Sequence, residues 1–271
     1  MTLVLALCGS DGYVLAADGK ITTTPADVRT LNGDSLCSAS YGNYTSKILT
    51  SHRHGVMIGW AGQDVAHEAA QILKERLNSA SVLPLGDDDD FGPEIKNACK
   101  AATETSPYVN NPQSGVSLVV VNPHSVFRPL WLANFSRHLA APGGREGTFH
   151  CRPLWTQDKQ IIGMNANSAL YFLERYFSPN LHAMDQLVVL AAHVILSASR
   201  LAKDAIDGIE IATCKRDGVP EFIQPETIME AQVRSQSLSK EIKTRLYAPL
   251  SKVVRSPKRT SILPSLSGEE S

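Results

Sequence analysis

The sequence predicts an α+β protein, a four-layer αββα sandwich in which two antiparallel sheets pack face to face between helix pairs. Three observations carry this. Apolar runs of strand length come in adjacent pairs split by turn residues. Amphipathic helical patterns come in twos. The two kinds of segment occur in blocks, which argues against alternating βαβ units.

Leu3–Cys8 and Tyr13–Ala17 flank Gly9-Ser10-Asp11-Gly12, a hairpin signal with a glycine-containing loop. Residues 23–46 are rich in Thr, Ser, Asn and Gly and carry only weak strand signals. Lys47–Thr50 and Val56–Trp60 read as a second strand pair around Ser51–Gly55. From Asp64 to Leu77, the apolar Val65, Ala69, Ile72, Leu73 and Leu77 recur at helical spacing, and Asp64 suits the N-cap. Residues 79–92 read as a loop holding the acidic run Asp87–Asp90. Pro93 suits the first position of a helix that reaches Ser106.

Val116–Val121 is a continuous Val-rich strand, and Phe127–Phe135 a second. Arg-Pro-Leu-Trp occurs at 128–131 and again at 152–155, too short a repeat to argue duplication. Gly143-Gly144 between them fits a loop joining antiparallel strands. Trp131 and Trp155 read as core, with an interface as the other reading. Ile161–Gly163 is a brief strand, and Asn167 or Ser168 can cap a helix through Phe177. Met184–Ala205 is the longest helical pattern. Ile209–Cys214 and Glu221–Ile223 are strands around the Asp217-Gly218 turn. Ile228–Tyr247 is amphipathic, and the chain from Ser251 is polar and basic. The domain reading is a sandwich over 2–224, followed by a C-terminal helix and basic tail over 225–271.

Composition removes several classes. The 271 residues carry 26 Lys+Arg against 27 Asp+Glu, and 43% are hydrophobic, enough for a sizeable core. A pI near 6.7 gives no global field for nucleic acid or an anionic membrane, so neither is an expected partner. No apolar run approaches the ~18–20 residues of a bilayer span. Leu3–Leu7 is short and follows no basic segment, unlike a secretory signal. The five cysteines are scattered with no CxxC pair, which suits reduced thiols and a cytoplasmic location. His52-Arg53-His54 reads as a solvated turn, and the acidic run lacks the spaced ligands of a calcium loop. With no glycine-rich phosphate loop either, neither a cofactor nor a metal is expected.

The chemistry starts at Thr2. Met1 before a small residue is the context for removal of the initiator methionine, which would leave Thr2 at the N-terminus. Such a threonine has its hydroxyl within reach of its own α-amine, whose ordinary pKa of about 7.7–8.0 leaves much of it neutral. The amine can then take the hydroxyl proton, directly or through water, and activate the oxygen as a nucleophile. A processed but inert terminus is the commoner outcome for a Met-Thr start.

The neighbouring motifs shift that balance. Thr2-Leu3-Val4-Leu5-Ala6, then Gly12-Tyr13-Val14-Leu15-Ala16-Ala17-Asp18-Gly19-Lys20, resembles the opening of mature proteasome β-type subunits, which are N-terminal-nucleophile hydrolases. Asp18 lies sixteen residues after Thr2, the spacing that family uses. Ser46-Lys47-Ile48 resembles the family's lysine strand, and Gly59-Trp60-Ala61-Gly62 before Asp64 resembles its Ala-Gly turn. Lys203-Asp204-Ala205-Ile206-Asp207-Gly208 resembles its late Arg-Asp-x-x-Ser-Gly segment. The likeness covers residues 2–223 in order.

The resemblance implies a threonine-type peptidase or amidohydrolase acting on a peptide or protein through a Thr2 ester. It assigns Thr2 as nucleophile, Lys47 as the cation that lowers its pKa, and Asp18 as the partner that orients Lys47. It makes the Gly62 N–H the oxyanion donor and has Asp204 and Asp207 place the α-amine. Lys20, Thr22 and Ser168 would meet the substrate. It also implies a homo-oligomeric ring, with helices 184–205 and 228–247 supplying packing surfaces. Three departures stand out. The loop between Asp18 and Lys47 is longer than usual. Gly163-Met164-Asn165 stands where the family has Gly-Ser-Gly, with Asn165 or Ser168 open as the substitute for that serine. Asp207 replaces a serine. The alternatives are an inert ring subunit of the same fold and a transpeptidase or ligase using the same nucleophile.

Overall fold

The computed structural model describes residues 2–22, 42–44, 46–62, 64–80, 91–105, 116–125, 127–138, 148–163, 166–178, 181–201, 208–216 and 218–246. In chain order the elements are β1 (Leu3–Cys8), β2 (Gly12–Ala17), β3 (Lys20–Thr22), β4 (Gly42–Tyr44), β5 (Ile48–Ser51), β6 (Val56–Ala61), α1 (Asp64–Ser79) and α2 (Phe91–Thr105). Next come β7 (Val116–Val121), β8 (Leu130–His138), β9 (Thr148–Thr156), β10 (Lys159–Gly163), α3 (Ala166–Tyr176), α4 (Met184–Leu201), β11 (Glu210–Lys215), β12 (Glu221–Phe222) and α5 (Pro225–Leu246). One sheet has the order β10-β1-β2-β11-β12 and the other β5-β6-β7-β8-β9, all antiparallel, while β3 and β4 form a separate ribbon.

Alternation along the strands divides the apolar residues between three cores. In β1, Val4 and Ala6 face the second sheet and pack with Leu15, Met57 and Val119. Leu3, Leu5 and Leu7 face the other way, onto α3 and α4 through Leu173, Leu187 and Ile195. The second sheet does likewise, turning Ile58, Leu118 and Trp131 onto Leu73 of α1 and Ile95 of α2. Both faces of both sheets are therefore covered, which is why β1, β2, β6 and β7 are buried along their whole length and are mostly apolar. The four-layer αββα sandwich expected from the sequence is the fold observed.

Several boundaries differ for local reasons. Lys47 precedes β5 instead of opening it. Helix α2 starts at Phe91, so Pro93 takes its third position, still among the first N–H groups that need no helical partner. Strand β8 starts three residues late because Arg128 and Pro129 belong to a turn. There the Arg128 N–H donates to Ser125 Oγ (2.9 Å) and the Asn122 N–H to the Pro129 carbonyl (2.7 Å). The two Arg-Pro-Leu-Trp segments meet across paired strands, Trp131 opposite Trp155. Trp131 is core, but Trp155 lies on the edge strand β9 at 44% exposure, with the Arg128 guanidinium 5.0 Å over its ring. Core was the wrong reading for Trp155. The edge position also accommodates Pro153, which has no N–H to donate.

Helix α4 is long and apolar enough to cross a bilayer by length and composition, contrary to the sequence reading. Its Leu187, Ala191, Val194 and Ile195 are instead buried against the first sheet, as in a core helix. Helix α5 docks on it, with Ala231 in the same core and His193 Nδ1 2.8 Å from Ser235 Oγ. Burial holds His193 below the usual histidine range, with Arg200 adding to the effect. One compact unit runs up to Gln236, and a second from Ser237, described to Leu246 as helix with Leu238 and Ile242 exposed. Asp87–Asp90, Gly143-Gly144 and the basic tail lie outside the described residues.

The sheets approach closely at Gly59 in β6. A Cβ there would lie 2.6 Å from Val4 Cγ1 and 3.2 Å from Leu15 Cδ1, both in the fully buried inter-sheet core. Gly59→Ala is expected to push the sheets apart and cost about 1–3 kcal/mol, read from urea unfolding.

Candidate active site

The hairpin register decides the site. Val4 pairs with Ala17, so Thr2 before β1 and Asp18 after β2 emerge at the same end of the sheet. The Leu3 N–H donates to Asp18 Oδ1 at 2.6 Å, and the Asp18 N–H returns a bond to the Leu3 carbonyl at 3.0 Å. On the other flank, β10 ends at Gly163, opposite Leu3. Gly163 has φ +112°, and a Cβ there would sit 1.8 Å from the Thr2 carbonyl oxygen. Only glycine lets β10 approach this closely. Thr2 itself is buried, at 7% exposure.

Lys47 comes from the second sheet. Its Nζ donates to Asp18 Oδ2 at 2.8 Å, and both side chains are fully buried. Asp18 thus has one oxygen on the main chain next to Thr2 and the other on Lys47. Burial is the largest influence on both groups, pushing Asp18 up and Lys47 down, and each charge opposes the shift in the other. Burial thus works against the ammonium form of Lys47, and the Asp18 carboxylate supports it.

The Trp60 N–H donates to the Lys47 carbonyl at 3.1 Å, so the end of β6 runs beside Lys47. Gly62, just past that strand, is exposed with φ +115°, a backbone shape that favours glycine. The structure therefore brings Thr2, Asp18 and Lys47 together and leaves Gly62 at the same end of the second sheet. Lys20 and Thr22 lie in β3, paired in register with Tyr44 and Gly42. Ser168 is in the first turn of α3. Asn165, Asp204 and Asp207 lie outside the described residues.

Two residues escaped the sequence reading. Gly163 reads in the sequence as a strand end and as the start of the segment that departs from Gly-Ser-Gly, with no role beside Thr2. Glu210, at the start of β11, accepts from Ser46 Oγ at 2.7 Å and from the Lys47 N–H at 3.1 Å. Burial pushes its carboxyl above the usual range, opposed first by the Ser46 hydrogen bond. Its signal was a lone acid between the apolar Ile209 and Ile211. An open cleft of about 540 Å³ lies alongside, lined by Gly19, Ser46, Gly208, Glu210, Phe222 and Ile228 among others.

The same arrangement of layers occurs in solved structures. An Anbu Gly-1 mutant from Hyphomicrobium sp. strain MC1 superposes with TM-score 0.62 at 13% identity, over 94% of this chain and 100% of that one. Anbu from Yersinia bercovieri, described as an ancestral β-subunit, matches with TM-score 0.62 at 12% identity, over 93% of this chain and 100% of its own. The fold is proteasome-like. No family model and no curated relative matches the chain. A proteasome-like sandwich at this identity establishes architecture, and the site chemistry rests on this chain's own residues.

Replacing one member of the buried pair strands the other. Lys47→Met is expected to cost about 3–5 kcal/mol by leaving the Asp18 carboxylate buried without its cation. Adding Asp18→Asn should recover a large part of that loss, as measured by urea unfolding of the single and double variants.

Proposed function

We propose that the chain is an N-terminal-threonine amidohydrolase or peptidase with Thr2 as its nucleophile. The observation that carries this reading is the fully buried Asp18–Lys47 pair, tied through Leu3 to the residue beside it, Thr2. A buried ion pair is a poor way to stabilise a sandwich, since desolvation offsets most of its attraction. Its position beside Thr2 is better accounted for by chemistry.

In this reading, removal of Met1 frees the Thr2 amine. The amine takes the hydroxyl proton while Oγ attacks the carbonyl carbon of a peptide or amide. The Lys47 ammonium stabilises the developing negative charge on Oγ, and Asp18 keeps Lys47 charged and aimed. The Gly62 N–H faces the oxyanion of the tetrahedral intermediate. Collapse breaks the C–N bond, the leaving amine receives the proton held by the α-amine, and an ester to Thr2 remains. Water attacks that ester, giving up its proton to the α-amine; the acyl C–Oγ bond then breaks, the α-amine returns that proton to Oγ, and the carboxylic product leaves with Thr2 restored. An added amine attacking instead of water would make the same site a transpeptidase or ligase. Asp204 and Asp207 would place the α-amine, and Lys20, Thr22 and Ser168 would contact the substrate. The setting that fits is a cytoplasmic homo-oligomeric ring that shields other proteins from an unselective nucleophile.

Gly163-Met164-Asn165, in place of a Gly-Ser-Gly turn, favours a second reading, a ring subunit without catalysis. The two separate cleanly. Intact-mass spectrometry should show Met1 absent, a threonine-directed electrophile should add to Thr2, and Thr2→Ala should abolish that adduct with the melting temperature unchanged. Retention of Met1, or no adduct on a processed Thr2, removes the hydrolase reading. Assembly is read independently. Light scattering at micromolar concentration should give a mass several times the 29.4 kDa chain, and a monomer would refute the ring.

A further inference from the structure

We propose that Glu210 is a positioning residue that locates Lys47 by gripping its main chain across the gap between the two sheets; the catalytic part of this role rests on the hydrolase reading. Over most of their contact the sheets touch through apolar side chains such as Val4, Leu15, Met57 and Val119. Such contacts hold layers together without fixing how one lies along the other, because they have no direction. At the site that freedom has to be removed, since the lysine comes from one sheet and Thr2 from the other.

Glu210 supplies the direction. It opens β11 opposite Ala17, which puts it beside Asp18 on the first sheet. Its Oε1 accepts from Ser46 Oγ at 2.7 Å and its Oε2 from the Lys47 N–H at 3.1 Å, both just ahead of β5 in the second sheet. Ser46 Oγ also lies 2.7 Å from the Ile48 carbonyl and 3.3 Å from the Ile48 nitrogen, so the hydroxyl spans the residue it helps to hold. Two carboxylates from neighbouring strands thus hold one lysine, Asp18 by its ammonium and Glu210 by its main chain. Charge-assisted bonds of this kind are short and directional.

The Glu210 charge also favours the ammonium form of Lys47. Among the described residues, the charged groups that act on Lys47 include Asp18, just after β2, and Glu210 from β11. Glu210→Gln keeps one acceptor and removes the charge, whereas Glu210→Ala removes both.

The test uses the processed full chain with two readouts, the Lys47 side-chain titration by carbon-detected NMR and the pH-dependent rate at which a threonine-directed electrophile labels Thr2. In Glu210→Gln the Lys47 titration should move to lower pH, and the alkaline limb of the labelling profile should move with it. Glu210→Ala should slow labelling by about tenfold to a hundredfold, as expected for a misplaced catalytic group, with Glu210→Gln in between. A Lys47 titration unchanged in Glu210→Gln, whose fold is checked by its melting temperature, overturns the proposal whatever the labelling does. If the titration moves but wild-type Thr2 is never labelled, the hydrolase reading falls and the Glu210 hold on Lys47 stands.

Discussion

One carboxylate connects the fold to its site. Asp18 gives one oxygen to the Leu3 N–H and the other to Lys47, so it belongs at once to the hairpin of the first sheet and to the entry of the second. All three partners are buried, and no water is available to replace a lost bond. The position of Thr2 follows from this contact. It is the next residue back from Leu3, flanked on its other side by a strand that approaches only because Gly163 has no side chain.

The sandwich is built to put that contact at an edge. Its middle is mainly apolar on the sheet faces, with isolated buried polar side chains such as Ser117, which bonds Asn134 on the next strand. Charged groups collect instead where strands end, at Asp18, Lys47 and Glu210, and there main-chain N–H groups and opposite charges are at hand. Strand ends are also where the ladder leaves backbone groups unpaired, as at Leu3, whose N–H meets the Asp18 carboxylate. Gly59 lets β6 lie close to Val4 and Leu15, and with them the first sheet. The buried ion pair thus sits at one end of the sandwich, outside the apolar middle.

Much of this was legible because the signals are local. The β1–β2 hairpin, α1, β7 and α4 announce themselves through runs and periods that one segment carries by itself. Thr2 could be named from its place after Met1, and Asp18 and Lys47 from the resemblance of their short motifs to proteasome β-type subunits. The misreadings share one cause. Trp155 looked like Trp131 because the tetrapeptides are identical, yet one strand is internal and the other is an edge. Phe127 looked like the start of a strand, but Ser125 and Asn122 draw Arg128 and Pro129 into a turn.

The sequence by itself determined most of the strands and helices of the two sheets and their helix layers, though not the β3–β4 ribbon, and that a threonine before β1 has an acid just after β2. Those outcomes depend on hydrophobic period and turn chemistry, which act over a few residues. Only the tertiary structure decided that Asp18 bridges Leu3 and Lys47, that Gly163 presses against Thr2, and that Glu210 grips the main chain of Lys47. Glu210 lies more than 160 residues from Ser46 and Lys47. Such a contact is set by sheet order and register, which place β11 next to β2 and the head of β5 against both. A lone acid between two apolar residues carries no record of which distant chain it will meet.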